Sequence, residues 1–165
     1  MAFDAFLKIS TVPGESTDDK HKDWIEILSY SWGVSQATGS ATSTGGARSA
    51  QRCDHQDFSI TKVLDKASPK LFLACCKSEH VPSVTIELCR ATGDKQKYME
   101  YKLSDVLISS VRPGGAAQAS ENLPLEEISF NYGKCELTYT ATDHKTGKPA
   151  GDVKAHWDLA ANKGG

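Results

Sequence analysis

The chain has 165 residues, a formal net charge of −2 and 24% charged residues, which predicts one ordinary globular domain. The nearly neutral charge and the lack of a basic cluster argue against nucleic-acid binding through phosphate contacts. The five cysteines are odd in number and two are adjacent, which favours folding in a reducing cytoplasm over a secreted disulfide framework. Neither a signal peptide nor membrane insertion is expected, because no basic leader with an apolar core and no run of ~20 apolar residues is found.

Apolar and polar residues alternate along most of the chain, and this period of two is typical of β-strands. The first strand is predicted at Phe3–Ile9. The second is predicted at Trp24–Val34, where both faces carry apolar side chains. Later strands are predicted at Asp54–Val63, Ser83–Cys89, Tyr98–Leu103, Asp105–Val111, Leu125–Tyr132, Lys134–Thr142 and Val153–Leu159.

One helix is predicted, at about Pro69–Ser78. Ser68 can cap its first turn and proline suits the first helical position. Its apolar residues are Leu71, Phe72, Cys75 and Cys76, at a spacing typical of a buried helix face. Eight or nine short strands with a single helix predict a mainly β protein, a sandwich or barrel with the helix packed against it.

The stretch Ala37–Gln51 contains no aromatic and no large aliphatic residue. Loops longer than ~12–15 residues are uncommon in compact domains and are usually functional or disordered. Its glycine pair, Gly45-Gly46, is not followed by the Gly-Lys-Ser/Thr of a phosphate-binding loop or by a helix start. A role in interaction is therefore favoured over nucleotide binding. Arg112–Ser120 is predicted to be a second loop of small residues.

No pattern in the chain indicates catalysis. Cys53 and His55 would point the same way on a strand, yet a metal site needs further ligands and no Cys-x-x-Cys or His-x-x-x-His accompanies them. Cys75 and Cys76 diverge on a helix, and small buried residues are the simpler interpretation. No nucleophile motif is present. We therefore expect no catalytic residue, no cofactor and no metal site, and predict that the protein is not an enzyme.

Several separate segments keep one order and spacing that is similar to a known family. They are Met1–Ile9, Pro13–Ser16, His21–Val34, Ala67–Leu71, Val84–Ala91, Tyr98–Leu103, Asp105–Val111, Tyr132–Lys134 and Trp157-Asp158. Together they span nearly the whole chain, and they resemble the haemolysin co-regulated protein (Hcp) family, the inner-tube protein of bacterial type VI secretion. The resemblance implies a compact β-barrel of two antiparallel sheets with one flanking helix, as a single domain over residues 1–165.

The resemblance also implies how the chain assembles and travels. Six copies would form a ring, and rings would stack head-to-tail into a tube that a contractile sheath propels from the cell. Its partners would be sheath, spike and baseplate proteins, and small effector proteins carried and chaperoned in the lumen. The protein would fold in the bacterial cytoplasm and be secreted without a signal peptide.

The family's loop after the second strand reaches the next ring, and here that loop is residues 37–51. Its expected ring-stacking residues are Thr38, Ser40, Thr42, Ser43, Thr44, Gly45, Gly46 and Arg48. Small polar residues permit close approach while keeping an isolated ring soluble. Two alternatives remain at this point: a monomeric β-barrel that binds a ligand, and an effector enzyme of the same fold.

Overall fold

The computed structural model describes residues 2–37, 52–91, 93–118 and 123–165. Its elements in chain order are β1 (Phe3–Ile9), β2 (Ile25–Ile27), β3 (Ser29–Ser31), β4 (Val34–Ser35), β5 (Asp54–His55), β6 (Phe58–Val63), α1 (Ser68–Cys76), β7 (Val81–Arg90), β8 (Lys97–Gly114), β9 (Leu125–Thr142), β10 (Pro149–Asp158) and β11 (Lys163–Gly164). The predicted fold class is confirmed: the described chain is mainly β, with two antiparallel sheets and a single helix. No helix among the described residues is long and apolar enough to cross a membrane.

The strands close into a barrel. The hydrogen-bonded path runs β2–β1–β7–β8–β9–β6–β3. Because β2 and β3 are consecutive pieces of one segment, this path returns to its starting point. β10 and β11 continue from the far half of β9, outside the barrel, while β4 and β5 form a separate two-stranded sheet.

Alternation along the strands fills the barrel with apolar side chains. On β7, Val84, Ile86 and Leu88 all face inward and are buried. Phe58 and Phe130 lie directly opposite each other on β6 and β9, and both are fully buried. Removing this apolar surface from water is the main force that holds the barrel together.

The second predicted strand is wrong in one respect, because Trp24–Val34 is three short strands. β2 pairs with β1, whereas β3 pairs with β6. Between them Leu28 is 58% exposed, and its N–H donates to the Thr61 carbonyl at 2.7 Å. The chain changes direction at Leu28, so its first half can hydrogen-bond to β1 and its second half to β6.

The predicted breaks near Ser104 and Gly133 are also wrong. β8 and β9 are each continuous over 18 residues. Asp105 has a φ of 52°, and a Cβ on Gly133 would lie 3.2 Å from the Asp105 Cβ. Glycine here allows the close approach of the two strands, and pairing continues on both sides, with Ser104 opposite Lys134 and Val106 opposite Tyr132.

The helix is present, but Ser68 is its first residue and not its cap. Ala67 is the N-cap and makes no side-chain capping bond. The Ser68 hydroxyl instead donates to Glu126 Oε2 at 2.7 Å and accepts from the Asp65 N–H at 3.1 Å. Glu126 is almost fully buried and pairs with the buried Lys62 at 2.9 Å. A buried polar network therefore fixes the start of the helix to the barrel.

The helix buries a different face from the one predicted. Leu71 and Ala74 are buried and Cys75 is half-buried, whereas Phe72 is 58% exposed and Cys76 is exposed. The buried positions follow the i, i+3, i+4 spacing of an α-helix.

Candidate assembly surfaces

The two ends of the 37–51 loop are held side by side at its base. β4 and β5 pair with Val34 opposite His55 and Ser35 opposite Asp54. The Gln56 N–H also donates to the Gly33 carbonyl at 3.1 Å. The predicted ring-stacking residues, Thr38, Ser40, Thr42, Ser43, Thr44, Gly45, Gly46 and Arg48, lie outside the described residues. The structure thus defines the root of this loop.

A buried tyrosine joins both sides of the loop root to the barrel. The Trp32 indole Nε1–H donates to the Tyr132 hydroxyl at 2.7 Å, and that hydroxyl donates to the Gln56 carbonyl at 3.0 Å. Burial raises the pKa of Tyr132 to about 12, so the phenol stays protonated and serves both bonds at neutral pH. The chain before the loop and the chain after it are therefore anchored to the same atom.

A second set of contacts ties the loop root to the last strands. The His55 ring stacks on Trp157, with centroids 6.3 Å apart, and Arg52 Nε donates to Asn162 Oδ1 at 3.4 Å. Beside these rings is a hollow of about 420 Å³, walled mainly by apolar side chains. Those walls include Trp32, Val34, Leu137, Ala155 and Trp157.

The sheet β8–β9–β10 extends beyond the barrel and keeps an apolar face. The outermost row on this face is Met99, Tyr139 and Val153, lying side by side across the three strands. The next rows inward are Tyr101–Leu137–Ala155 and Leu103–Cys135–Trp157. In the outer row Tyr139 is 46% and Val153 is 68% exposed. These rows form one continuous apolar stripe. Its inner end lies in the barrel core, whereas its outer end is exposed to solvent.

The opposite face of the same extension is polar. Its rows are Glu100–Thr138–Lys154 and Lys102–Glu136–His156. One face thus suits water and the other suits a protein surface. We call the open apolar face, with Met99, Tyr139 and Val153, the extension patch.

A second apolar patch lies near the other end of β9. It consists of Leu28, Leu64, Leu123 and Leu125, whose exposed fractions are 58%, 39%, 68% and 43%. Leu28, Leu64 and Leu123 line one shallow hollow, together with acidic side chains that include Glu26. Leu125 and Tyr139 are 14 residues apart on β9, about 45 Å along an extended strand. We call this the corner patch; it is distinct from the extension patch.

The sequence prediction had missed both patches. The alternation in Tyr98–Leu103, Lys134–Thr142 and Val153–Leu159 was visible, but it does not say which strands pair or in what register. Aligning the three runs as neighbours would have revealed a single apolar stripe longer than a barrel needs.

A closed β-barrel with a flanking helix, an open sheet extension and exposed apolar patches is typical of a structural module that assembles with other proteins. Comparison with known proteins shows which family of assembling modules the chain matches. Residues 6–139 match the family described as "Type VI secretion system effector, Hcp". The chain is 35% identical over 163 residues to the protein hcp1 of Pseudomonas aeruginosa, covering 98% of each.

Solved structures agree over the full length. A structure described as a type six secretion system protein superposes with a TM-score of 0.92 at 34% identity, covering 99% of this chain and 100% of the other. Hcp1 from Salmonella typhimurium superposes with a TM-score of 0.80 at 28% identity, covering 99% of both. The chain therefore belongs to the Hcp family and is a tube subunit of a type VI secretion system. The predicted resemblance is confirmed.

Proposed function

We propose that this subunit forms six-membered rings that stack head-to-tail into a tube, and that the tube is propelled from the cell carrying small effector proteins. The observation that carries the proposal is the pair of unlike apolar patches, one at each end of β9. The number six rests on the resemblance to the family.

Ring closure needs a heterologous interface, in which one patch on each subunit meets a different patch on the next. The extension patch and the corner patch lie at opposite ends of β9, too far apart to touch each other, so either can meet the other only on a second copy. Burying Val153 and Tyr139 at such a contact would remove the largest exposed apolar groups of the extension from water. The polar face of the extension would remain available to solvent.

For stacking we propose the loop of residues 37–51, held at its root by Trp32 and Tyr132. A 2.7 Å hydrogen bond and a two-stranded ribbon fix the two points at which the loop leaves the barrel. The residues proposed to contact the next ring are Thr38, Ser40, Thr42, Ser43, Thr44, Gly45, Gly46 and Arg48.

Export and partners follow from the tube. A Pseudomonas aeruginosa relative, 33% identical over 95 residues, is named a major exported protein. We propose that the present chain likewise folds in the cytoplasm and leaves it without a signal peptide, meeting sheath, spike and baseplate proteins on the way. In this role it acts by assembly and carries out no catalysis.

The ring is tested by changing one residue on each face of the extension. Val153→Asp places a negative charge in the extension patch. Lys154→Asp places one at the adjacent position, on the polar face of the same strand. Both positions are exposed, so neither change should unfold the barrel. By light scattering the wild type and Lys154→Asp should give about six times the chain mass of 17.8 kDa, and Val153→Asp should give the single-chain mass.

A wild-type protein that stays monomeric at every concentration would overturn the ring and favour a ligand-binding barrel. A Val153→Asp protein that still forms rings would show that the extension patch is not the interface.

Stacking is tested separately by deleting Ser40–Arg48. The deletion should leave rings intact while abolishing tube growth, seen by electron microscopy, and secretion into the medium. A deletion that dissolves the ring or unfolds the subunit would contradict the stacking role of the loop.

A further inference from the structure

A buried histidine lies on the outer wall of the barrel, far from the loop root. The segment between β1 and β2 is closed on itself by bonds such as Ser16 N–H to the Trp24 carbonyl at 2.9 Å, and its His21 contacts Phe6 on β1 and Glu87 on β7. His21 is only 3% exposed and its ring stacks on Phe6, with centroids 4.1 Å apart. The ring has a fixed place and a fixed orientation.

Both nitrogens of this ring face carboxylates. Nδ1 lies 2.7 Å from Asp18 Oδ2, and Nε2 lies 2.7 Å from Glu87 Oε2. The Lys95 ammonium, 2.6 Å from Asp18, is the main reason that the pKa of Asp18 is lowered to about 2. Asp18 is therefore ionised at neutral pH, and an ionised carboxylate accepts a hydrogen bond from Nδ1, which leaves Nε2 directed at Glu87.

A thiol completes the group. Cys89 lies two residues after Glu87 on β7, on the same side of the strand, and is fully buried. Its Sγ is 3.9 Å from His21 Nε2, and the ligand atoms of His21, Glu87 and Cys89 all lie within 4.8 Å of one another. Burial, with nearby carboxylates such as Glu87, raises the pKa of Cys89 to about 11, so without a cation the group is a thiol.

We propose that His21 Nε2, Glu87 Oε2 and Cys89 Sγ form a binding site for a divalent zinc-class ion. Imidazole, carboxylate and thiolate are all established zinc ligands, with bond lengths of about 2.0–2.3 Å. Tetrahedral angles at those lengths separate ligand atoms by roughly 3.3–3.6 Å. The 2.7 Å contact would widen and the 3.9 Å contact would shorten, each by less than about 1 Å. The Glu87–Cys89 pair, within 4.8 Å, would close by up to about 1.3 Å, and rotation of the side chains can supply these shifts.

Neighbouring contacts also favour this ion. The thiol of Cys89 would release its proton on binding, because the thiolate is the form that ligates a metal. Asp18 would keep its bond to Nδ1, which is the carboxylate–histidine arrangement that orients metal-bound imidazoles. Glu87 retains 16% exposure, which gives an ion a route from solvent and leaves room for a fourth ligand.

The competing account is that hydrogen bonds alone hold this cluster together and that no metal binds. Cobalt(II) distinguishes a metal site from a metal-free cluster by its absorption. A thiolate bound to cobalt gives a near-ultraviolet charge-transfer band, and a tetrahedral site gives intense visible absorption. The assembled wild-type protein, titrated with Co²⁺, should develop both at one equivalent per chain. Zn²⁺ should remove both by displacement.

Variants locate the site. Cys89→Ser should lose the thiolate band completely, whereas Cys135→Ser, a second buried cysteine outside the cluster, should keep it. Glu87→Gln is partly exposed and conservative, and should weaken Co²⁺ binding about 10-fold or more while circular dichroism stays unchanged. A band that persists in Cys89→Ser, or its absence in the wild type at millimolar Co²⁺, would overturn the site. Ring mass is measured in every sample, so this outcome is independent of assembly.

Discussion

Removing the buried Lys62 should destabilise the subunit severely. Its ammonium is inaccessible to water and contacts Glu126 at 2.9 Å, Asp65 at 2.9 Å and the Ser68 hydroxyl at 3.2 Å. Glu126 is itself only 2% exposed. In Lys62→Met the Glu126 carboxylate keeps the Ser68 hydroxyl as its one described partner. Breaking a buried pair in this way costs about 3–5 kcal/mol in the free energy of unfolding.

The cost is measured by urea denaturation at one fixed chain concentration, because assembly makes stability depend on concentration. The matched control is Lys70→Met on the exposed side of the helix, which should change the free energy by less than about 0.5 kcal/mol. The double variant Lys62→Met/Glu126→Gln removes both charges and should recover at least ~1.5 kcal/mol relative to the sum of the single variants. A loss below ~1 kcal/mol for Lys62→Met would refute the idea that this network is energetically coupled.

Three further predictions concern the folded subunit. Gly14→Ala should cost about 1–3 kcal/mol, because a Cβ would overlap the Trp24 carbonyl, whereas Gly114→Ala has open space and should be nearly neutral in the same denaturation assay. Trp32→Phe removes the donor to Tyr132 and should cost about 1–2 kcal/mol in chemical unfolding; no loss would mean that the bond is not formed in solution. Because burial raises the pKa of Tyr132 to about 12, its contribution to stability should be complete below pH ~10 and fall as pH rises toward 12; in urea denaturation this fall should be smaller in Tyr132→Phe than in the wild type.

Where local pattern alone decides the structure, the sequence prediction is accurate. Phe3–Ile9 alternates loosely and is a strand with those bounds. The segment Trp24–Val34 has the same composition, yet it turns at Leu28, because β2 and β3 pair with strands on different sides of the barrel seam. Gly133 suggests a strand end in the sequence, but its role depends on Asp105 across the ladder. Contacts between distant segments decide such cases, and a single sequence does not display them.

The same reason limits prediction of the sites. The loop at 37–51 could be located from its composition, but its root depends on Tyr132, about 80 residues further along the chain. The open apolar face requires the register of three strands to be known. His21 and Cys89 are 68 positions apart, so no short metal-binding motif in the sequence indicates that their side chains meet. Cys53 and His55 are visible as a pair because they are close in sequence, whereas His21, Glu87 and Cys89 come together only in the folded chain.

The anchoring of the loop root has a consequence for how this protein can diversify. The bonds that hold the root come from Trp32, Gln56 and Tyr132, all outside residues 38–51. The intervening segment can therefore change in length and composition without loss of the hydrogen bonds that hold its two ends to the barrel. Subunits with the same barrel can in this way differ in the surfaces that their loops recognise.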